Sequence, residues 1–306
     1  MKKAFLIPLL ACLLLAGCDK PEPVEETSQP TEIIVSDVDD LTEEPKLFPI
    51  EICGTEVEAE AKRVVSLSPA VTEILTELGF ADRLCGVSNY CEPPEAELQT
   101  AGSAENPDIA VITALQPDVL FTLSDLSERD IYAIEEGGTA VVVLEPPVDP
   151  EGYGKLYSDI ASAFVGDIAS QKFSQEAVSA IDSAASKVNL TSYVYVTGKM
   201  TAAGEGTFES SLLSLCCENV CTSEGYAELP AIAETAPDYI IASDELEYND
   251  IAYDDTLSVF VYNGAEVVFV DATAFERPSA RTCDIFVQIA RQLADDTAEP
   301  TAESGE

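Results

Sequence analysis

RVVSLSPAVTEILTELG, residues 63–79, is the stretch that decides the fold class of this chain. Its apolar, β-branched start is typical of a buried strand, and the break at Ser68 and Pro69 gives way to a helical pattern, with apolar residues at Val71, Ile74, Leu75 and Leu78. Ser68 suits the N-cap, Pro69 the first helical position and Gly79 the stop. This predicts a strand–turn–helix unit that places backbone N–H groups and a hydroxyl at the carboxyl edge of a sheet, where open α/β sheets bind ligands.

Composition narrows the function. The chain has 306 residues, of which 46% are apolar, and it contains neither histidine nor tryptophan. Without histidine, Ser-His-Asp and Cys-His nucleophiles and the common zinc sites cannot be assembled. The formal charge of −42, from 57 acidic and 15 basic residues, argues against nucleic acid or anionic lipid head groups as partners of the main body. An acidic surface that attracts cations and one that keeps an exported protein soluble both fit this charge.

The N-terminus predicts export. Residues 1–17 combine a basic start, a short apolar core and a Leu-Ala-Gly ending before Cys18, which is similar to a bacterial lipobox. We therefore expect residues 1–17 to be a lipoprotein signal peptide and Cys18 to be the lipidated mature N-terminus. Residues 18–46 read as a disordered tether, since Asp19–Pro45 holds ten carboxylates against one lysine. The tether has a reach of ~30 Å.

Downstream, strands alternate with helices, which predicts α/β architecture with parallel-type sheets. Residues 151–188 show helical spacing almost without breakers and predict one long linking helix with a kink near Gly166. The expected layout is an N-terminal lobe, the linking helix, a C-terminal lobe and an acidic tail, over residues 47–150, 151–188, 189–293 and 294–306.

An internal repeat predicts that the two lobes share a topology. PDVLF at residues 117–121 returns as PDYII at 237–241, and GTAVVVLE at 138–145 returns as GAEVVFVD at 264–271. The two offsets, 120 and 126, agree to within a short insertion. We therefore expect two similar lobes with a ligand cleft between them.

Motifs along the chain resemble those of the helical-backbone substrate-binding proteins of ABC importers, the class that carries cobalamin, siderophores and haem. They are the opening stretch, LCGVSNYCEPPEA (84–96), ALQPDVLF (114–121) and FERPSAR (275–281), and the resemblance covers residues 62–293. AGEGTFESSLL (203–213) is most similar to the cobalamin-binding branch. The resemblance implies a lipid-anchored, extracytoplasmic protein that binds a corrinoid, or alternatively a ferric siderophore or haem, and delivers it to a permease and its ATPase.

The chain departs from that class in its aromatic residues. Cobalamin binders of this type usually stack tryptophans on the ligand, and here aromatic cover must come from Tyr90, Phe208, Tyr226, Tyr248 or Phe275. Metal-ion binders of the wider class use histidines, so neither a direct metal site nor a cofactor is expected.

The candidate ligand-binding residues follow the predicted strand ends. Small hydroxyls and a few aromatics suit a large, mostly apolar ligand with amide or hydroxyl edges. Arg277 suits an anionic ligand, or equally an ion pair with Glu276 or a helix end. The candidates are Ser68, Pro69, Ser88, Asn89, Tyr90, Ser103, Leu123, Ser124, Lys199, Met200, Thr207, Phe208, Phe275, Glu276 and Arg277.

The resemblance also implies one permease-docking glutamate on each lobe. Glu128 matches the first-lobe position, just after the third strand and at a helix start. The repeat places its partner at Glu245, with Glu247 as the second choice. A carboxylate in the first turn of a helix is also favoured by the helix dipole, so a purely structural role stays open.

The cysteines allow two interpretations. An exported chain favours disulfides or buried thiols, with connectivity left open and at least one thiol unpaired. A C-x3-C zinc site completed by Cys283 is the alternative. The cysteines beyond Cys18 are Cys53, Cys85, Cys91, Cys216, Cys217, Cys221 and Cys283.

A lipid-anchored enzyme that uses a pair of carboxylates, as glycosidases do, is the competing function. With 57 acidic residues some pair always has a suitable spacing, so this hypothesis has little specificity. A binding protein needs no catalytic group, and we expect binding rather than catalysis.

Cys18→Ser is expected to abolish lipidation and release the protein, because no other apolar segment is long enough to retain it. Labelling of cells with a radioactive fatty acid measures this. Continued labelling of the variant would contradict the lipoprotein prediction.

Overall fold

The computed structural model describes residues 47–91 and 98–297. The predicted signal peptide, Cys18, the tether and the last residues of the acidic tail lie outside these ranges. Within them, no helix combines the length and the apolar character that crossing a membrane requires.

The first half of the chain forms a hairpin and a parallel sheet. Its elements are β1 (Ile50–Ile52), β2 (Thr55–Val57), β3 (Val64–Ser66), α1 (Pro69–Glu77), β4 (Leu84–Val87), β5 (Gln99–Thr100), α2 (Ile109–Leu115), β6 (Val119–Thr122), α3 (Glu128–Glu135) and β7 (Ala140–Val143). The sheet order is β5-β4-β3-β6-β7, with every neighbouring pair parallel. The chain order reverses at β3, so the carboxyl ends of β3 and β6 form the switch point where such sheets bind ligands.

The opening strand–turn–helix unit is confirmed. Ser68 is the N-cap of α1 and Pro69 its first residue. The helix ends at Glu77, and Gly79 follows with a φ of +81°. The hydroxyl of Ser68 makes no capping hydrogen bond, so the turn is fixed by its proline and by its neighbours.

The predicted linking helix is two helices, α4 (Pro150–Val165) and α5 (Asp167–Ala185), separated by Gly166. Gly166 has a φ of +77°, a conformation that ends a helix and that side chains disfavour. The helices pack side by side, since a Cβ at Gly154 would lie 2.6 Å from Cγ2 of Val178. Helical periodicity continues on both sides of Gly166, so the pattern alone did not reveal the reversal.

The second half repeats the plan with additions. Its elements are β8 (Ser192–Val196), β9 (Thr201–Ala203), α6 (Phe208–Leu213), β10 (Glu218–Asn219), β11 (Tyr226–Glu228), β12 (Tyr239–Ser243), α7 (Tyr248–Tyr253), α8 (Leu257–Tyr262), β13 (Glu266–Val270), α9 (Thr273–Glu276) and α10 (Arg281–Thr297). The order is β11-β9-β8-β12-β13, with β10 also paired to β8. Strands β8, β12 and β13 are parallel, whereas β9 and β11 are antiparallel additions that the sequence analysis did not predict.

The internal repeat is visible in matching hydrogen bonds. Asp118 and Asp238 directly precede the equivalent strands β6 and β12. The carboxylate of Asp118 accepts from the amides of Lys62 and Arg63 just before β3, and that of Asp238 accepts from the Thr191 and Ser192 hydroxyls at the start of β8. Each repeated aspartate therefore ties its own strand to the central strand of the sheet. The predicted fold class, two similar α/β lobes, is confirmed.

One hydrophobic core runs through both sheets and the α4–α5 pair. Helix α4 packs on α1, and α5 packs on α10. The largest fully buried side chain of this core on α4 is Tyr153, whose hydroxyl donates to the carbonyl of Ser279 at 2.8 Å. The helix pair therefore joins the two lobes through packing as well as through the chain.

Two carboxylates of α1 hold the segment that opens α10. The hydroxyl of Ser279 donates to Glu73 at 2.7 Å, and Arg281 Nε lies 3.3 Å from the same oxygen. Glu77 accepts from the Ala280 amide at 2.9 Å and, with its other oxygen, from the Tyr157 hydroxyl at 2.6 Å. This interlobe junction joins α1, α4 and the start of α10.

Glu77→Ala leaves the Tyr157 hydroxyl and the Ala280 amide without their acceptor. We expect the free energy of unfolding to fall by about 1–2 kcal/mol, because Tyr157 is buried. Glu77→Gln keeps one carbonyl oxygen and should cost less. Urea unfolding measures both, with Glu176→Gln on the exposed face of α5 as the control. A Glu77→Ala protein as stable as wild type would contradict the stabilising role of Glu77 in the interlobe junction.

The same site predicts a pH dependence. Partial burial raises the pKa of Glu77, against hydrogen bonds from Tyr157 and Ala280 that lower it. A raised folded-state pKa gives stability that is fully present below the unfolded pKa and is lost as the pH rises through the folded value. Wild type should therefore lose stability relative to Glu77→Gln as the pH rises from the ordinary pKa of a glutamate through the raised pKa of Glu77. A difference that is constant over this range would contradict the prediction.

Candidate ligand-binding site

The first-lobe candidates gather at the carboxyl edge of their sheet. The backbone N–H of Asn89 donates to the Gly102 carbonyl at 3.0 Å, which joins the segments after β4 and β5. The hydroxyls of Ser88 and Ser103 each accept a hydrogen bond of 3.3 Å from a nearby backbone N–H, and both residues are buried. Tyr90 is 64% exposed at the same edge and is therefore available to cover a ligand.

Beneath this edge lies a hydroxyl network that the sequence analysis missed. Thr72 on α1 donates to the Ser66 hydroxyl at 2.9 Å, and Ser66 donates to the carbonyl of Ser68 at 2.8 Å. Thr72 also shares a hydrogen bond of 3.2 Å with the thiol of Cys91. Thr72 lies one helical turn into α1. In the sequence, only its spacing of four residues from Ser68 indicated that it could contact the turn. The network fixes the turn at the switch point.

The second-lobe edge surrounds a pocket of about 370 Å³. Of the sequence candidates it contains Lys199, Phe275 and Glu276. It also contains Tyr226, named above as possible aromatic cover, and Glu245, named above as a docking candidate. The remaining lining residues were not predicted: Tyr195, Thr197, Gly198, Thr201, Glu209 and Ala272. Some of these do follow a parallel strand, as Thr197 follows β8, whereas Tyr195 and Thr201 lie within strands and Glu209 lies on a helix.

A close backbone approach lies beside β11 and α6, which carry Tyr226 and Glu209 of this pocket. The amide of Gly204 donates to the Gly225 carbonyl at 2.8 Å, and Glu205 donates to Ser223 at 2.7 Å. A Cβ at Gly204 would collide with the Ser223 carbonyl, so the AGEG stretch needs glycine here. The approach brings Tyr226 on β11 next to Glu209 on α6, and the Tyr226 hydroxyl donates to both carboxylate oxygens, at 2.9 and 3.1 Å.

The other second-lobe candidates have different surroundings. Thr207 caps α6 by accepting from the Ser210 amide, and Phe208 is buried with its ring 6.3 Å from that of Tyr153. Met200 lines a separate hollow with Leu246. Thr207 and Phe208 therefore stabilise α6 by capping and packing and do not line the pocket. Met200 does not line it either.

Arg277 directly follows α9 and does not line the second-lobe pocket. Burial raises the pKa of Cys91, whereas hydrogen bonds with Thr72 and Ser88 and the positive charge of Arg277 lower it. In the part of the chain that the structure describes, Arg277 forms no ion pair with Glu276. Leu123 and Ser124 follow β6 at the switch point.

The cysteines are unpaired throughout the described ranges. The nearest pair is Cys216 and Cys217, with sulfur atoms 3.6 Å apart and both thiols donating to the Leu213 carbonyl. The hydrogen bond from Cys217 lowers the pKa of Cys216. Among the described residues no three Cys, Asp or Glu side chains gather as metal ligands, so the four-cysteine zinc alternative is not assembled there.

The docking candidates occupy unlike positions. Glu128 is the exposed first residue of α3, after the N-cap Ser127. Glu245 precedes α7 by several residues, packs against Gly198 and lines the pocket rather than beginning a helix. Glu247 is the N-cap of α7, and its amide donates to Asp250 at 2.7 Å. At the repeat offset of 120, Ser127 and Glu247 correspond.

Comparison with known families decides the class. A family model described as periplasmic binding protein matches residues 64–266, which include the first-lobe sheet and the second-lobe sheet up to the start of β13. This chain belongs to that family. The family predicted from the sequence is thereby confirmed.

Curated relatives of this binding protein match shorter stretches. An uncharacterized ABC transporter substrate-binding lipoprotein, YvrC, of Bacillus subtilis (strain 168) is 26% identical over 155 residues, 50% of this chain and 46% of the relative. A vitamin B12-binding protein of Yersinia pestis (strain Pestoides F) is 39% identical over 62 residues, 20% of this chain and 22% of the relative. The chain thus spans less than half the length of these relatives.

Solved structures share the fold of this binding protein over most of its length. The periplasmic vitamin B12 binding protein BtuF of Vibrio cholerae has a TM-score of 0.57 at 21% identity, covering 78% of this chain and 99% of that chain. The periplasmic heme binding protein HutB of Vibrio cholerae has a TM-score of 0.62 at 19% identity, covering 76% and 98%. At these identities the likeness shows the two-lobed fold.

Proposed function

We propose that this chain is the extracytoplasmic substrate-binding lipoprotein of an ABC importer, which captures a corrinoid between its lobes and delivers it to a permease. The family match over residues 64–266 is the observation that carries the proposal. The name of the Bacillus relative supports the importer and the lipid anchor, and that of the Yersinia relative supports the corrinoid.

The chemistry of the site suits capture without a reaction. The first-lobe edge offers small hydroxyls and the exposed ring of Tyr90, and the second-lobe pocket offers the rings of Tyr195, Tyr226 and Phe275. Rings and short polar groups bind a large ligand by apolar contact with a few orienting hydrogen bonds. The candidate residues therefore act as a binding surface, with rings of tyrosine and phenylalanine in place of tryptophan.

The interlobe junction predicts how the ligand is captured. Glu73 and Glu77 fix the start of α10 against α1, and the α4–α5 pair packs on both. A joint made of packed helices and charge-assisted hydrogen bonds resists bending more than an extended crossover does. Binding should therefore change the angle between the lobes only slightly.

Cyanocobalamin or its precursor cobinamide is expected to bind with 1:1 stoichiometry. Isothermal titration calorimetry of the purified protein measures this, with haemin and a ferric siderophore as competing ligands. The fold shared with a haem-binding protein makes haem the specific alternative. Absence of heat with both corrinoids, together with a response to haemin or the siderophore, would replace the corrinoid assignment.

Delivery requires contact with the permease, for which we propose Glu128 on the first lobe. On the second lobe, Glu247 is supported by its place at a helix start, and Glu245 by its position directly after the repeated Ser243-Asp244 pair. A carboxylate at such a helix end is exposed and favourably placed by the helix dipole, so its removal should leave the fold intact.

Glu128→Ala combined with Glu247→Ala should keep ligand affinity and weaken coupling to the importer. The expected loss is about 2–5 kcal/mol if the contacts are desolvated, or a slower association if they lie at the rim. Stimulation of the importer's ATPase measures it, with Glu128→Ala plus Glu245→Ala as the competing pair and Glu135→Ala as the control. Normal stimulation by both pairs would show that other residues dock.

A further inference from the structure

The second-lobe pocket has an unbalanced charge. Its charged lining residues are three carboxylates, Glu209, Glu245 and Glu276, and one ammonium, Lys199, which leaves a formal charge of −2. Lys199 forms no ion pair with any of them in the described ranges. A ligand group that enters this space therefore meets hydrogen-bond acceptors and negative potential.

The surroundings of Tyr195 indicate independently that the pocket can bind a polar group. Its side chain lies on β8, is only 2% exposed and lines the pocket. The Tyr195 hydroxyl has no hydrogen-bond partner among the residues that the structure describes. Because no buried side-chain oxygen in that part of the chain lacks a partner, this oxygen is open to the space of the pocket that Tyr195 lines. Burial, followed by the nearby carboxylate of Glu209, raises its pKa, so the hydroxyl stays protonated and neutral. It can accept a hydrogen bond from an incoming N–H group.

The aromatic walls favour the same kind of group. The ring of Phe275 lies 5.0 Å from that of Tyr195 at 62°. The hydroxyl of Tyr226 donates to both oxygens of Glu209 and holds that carboxylate in place. Ring faces and fixed carboxylates both attract positively polarised N–H groups and repel anions.

We infer that this pocket binds an N–H-donating edge group of the ligand, a primary carboxamide or an ammonium, and rejects a carboxylate. The inference rests on the proposed function, since it assumes that a ligand is captured at this site. A corrinoid presents carboxamides at its edge, a cationic siderophore presents an ammonium, and haem presents carboxylates. The pocket thus selects among the three ligand classes by the charge of the ligand's edge.

Matched ligands test this selection by titration calorimetry. The probes are cyanocobalamin, each of its isolated monocarboxylic acids, in which one edge carboxamide is hydrolysed, ferrioxamine B with its free ammonium, N-acetyl-ferrioxamine B, and haemin. The proteins are wild type, Glu209→Gln, Tyr195→Phe and the control Glu234→Gln, whose carboxylate is exposed outside the pocket.

We expect at least one monocarboxylic acid to bind wild type about 10-fold more weakly than cyanocobalamin, a difference of about 1.4 kcal/mol. Glu209→Gln should reduce the difference in affinity between cyanocobalamin and that acid to about 3-fold, because it removes a negative charge beside the edge group of the ligand. Tyr195→Phe should weaken binding of the carboxamide about 3- to 10-fold, the effect of one hydrogen bond. Glu234→Gln should leave every value unchanged.

The remaining outcomes show whether the inference, the proposed ligand or both are wrong. Binding of ferrioxamine B but not of its acetylated form, without corrinoid binding, would support the pocket's selectivity and end the corrinoid assignment. Corrinoids that bind equally as amides and as acids would overturn the inference and leave the proposed function standing. Haemin as the tightest ligand would overturn the inference, as would a failure of every N–H-bearing probe to bind.

Discussion

Two carboxylates on one helix face fix the geometry on which the site depends. Glu73 and Glu77 are one turn apart on α1, and they hold Ser279, Ala280 and Arg281 at the start of α10. Charge-assisted hydrogen bonds of this kind are short and directional. FERPSAR contains both this junction and Phe275 and Glu276, so the segment that joins the lobes also lines the second-lobe pocket.

The junction holds together two sheet edges whose chemistry differs. The first-lobe edge consists of short hydroxyls whose bonds are largely satisfied within the lobe, as between Thr72 and Ser66. The second-lobe edge carries the charges and the hydroxyl of Tyr195, which has no partner among the described residues. In the proposed function, the neutral edge supplies shape and the acidic edge discriminates between ligands by their charge. The overall charge of −42 then has a local counterpart in the pocket.

The parts of this structure that follow from local signals were predictable from the sequence, and the parts that need long-range pairing were not. Ser68, Pro69 and Gly79 mark α1 by turn chemistry alone, and the repeated Pro-Asp dipeptides mark β6 and β12. The reversal at Gly166 was missed because an apolar helical stripe looks alike whether the chain continues or turns back. Tyr226 was named as possible aromatic cover, but its strand was not predicted, because β11 is three residues long and pairs antiparallel, so neither a period nor a strand end marks it.

The central claim is that one ligand contacts both sheet edges across a junction that stays closed. Hydrogen–deuterium exchange with and without cyanocobalamin tests it most directly. The account predicts slower exchange at residues 88–91, 197–201 and 275–277 together, with residues 279–281 unchanged. Protection confined to one lobe, or centred on the separate hollow beside residues 54–60, would contradict it.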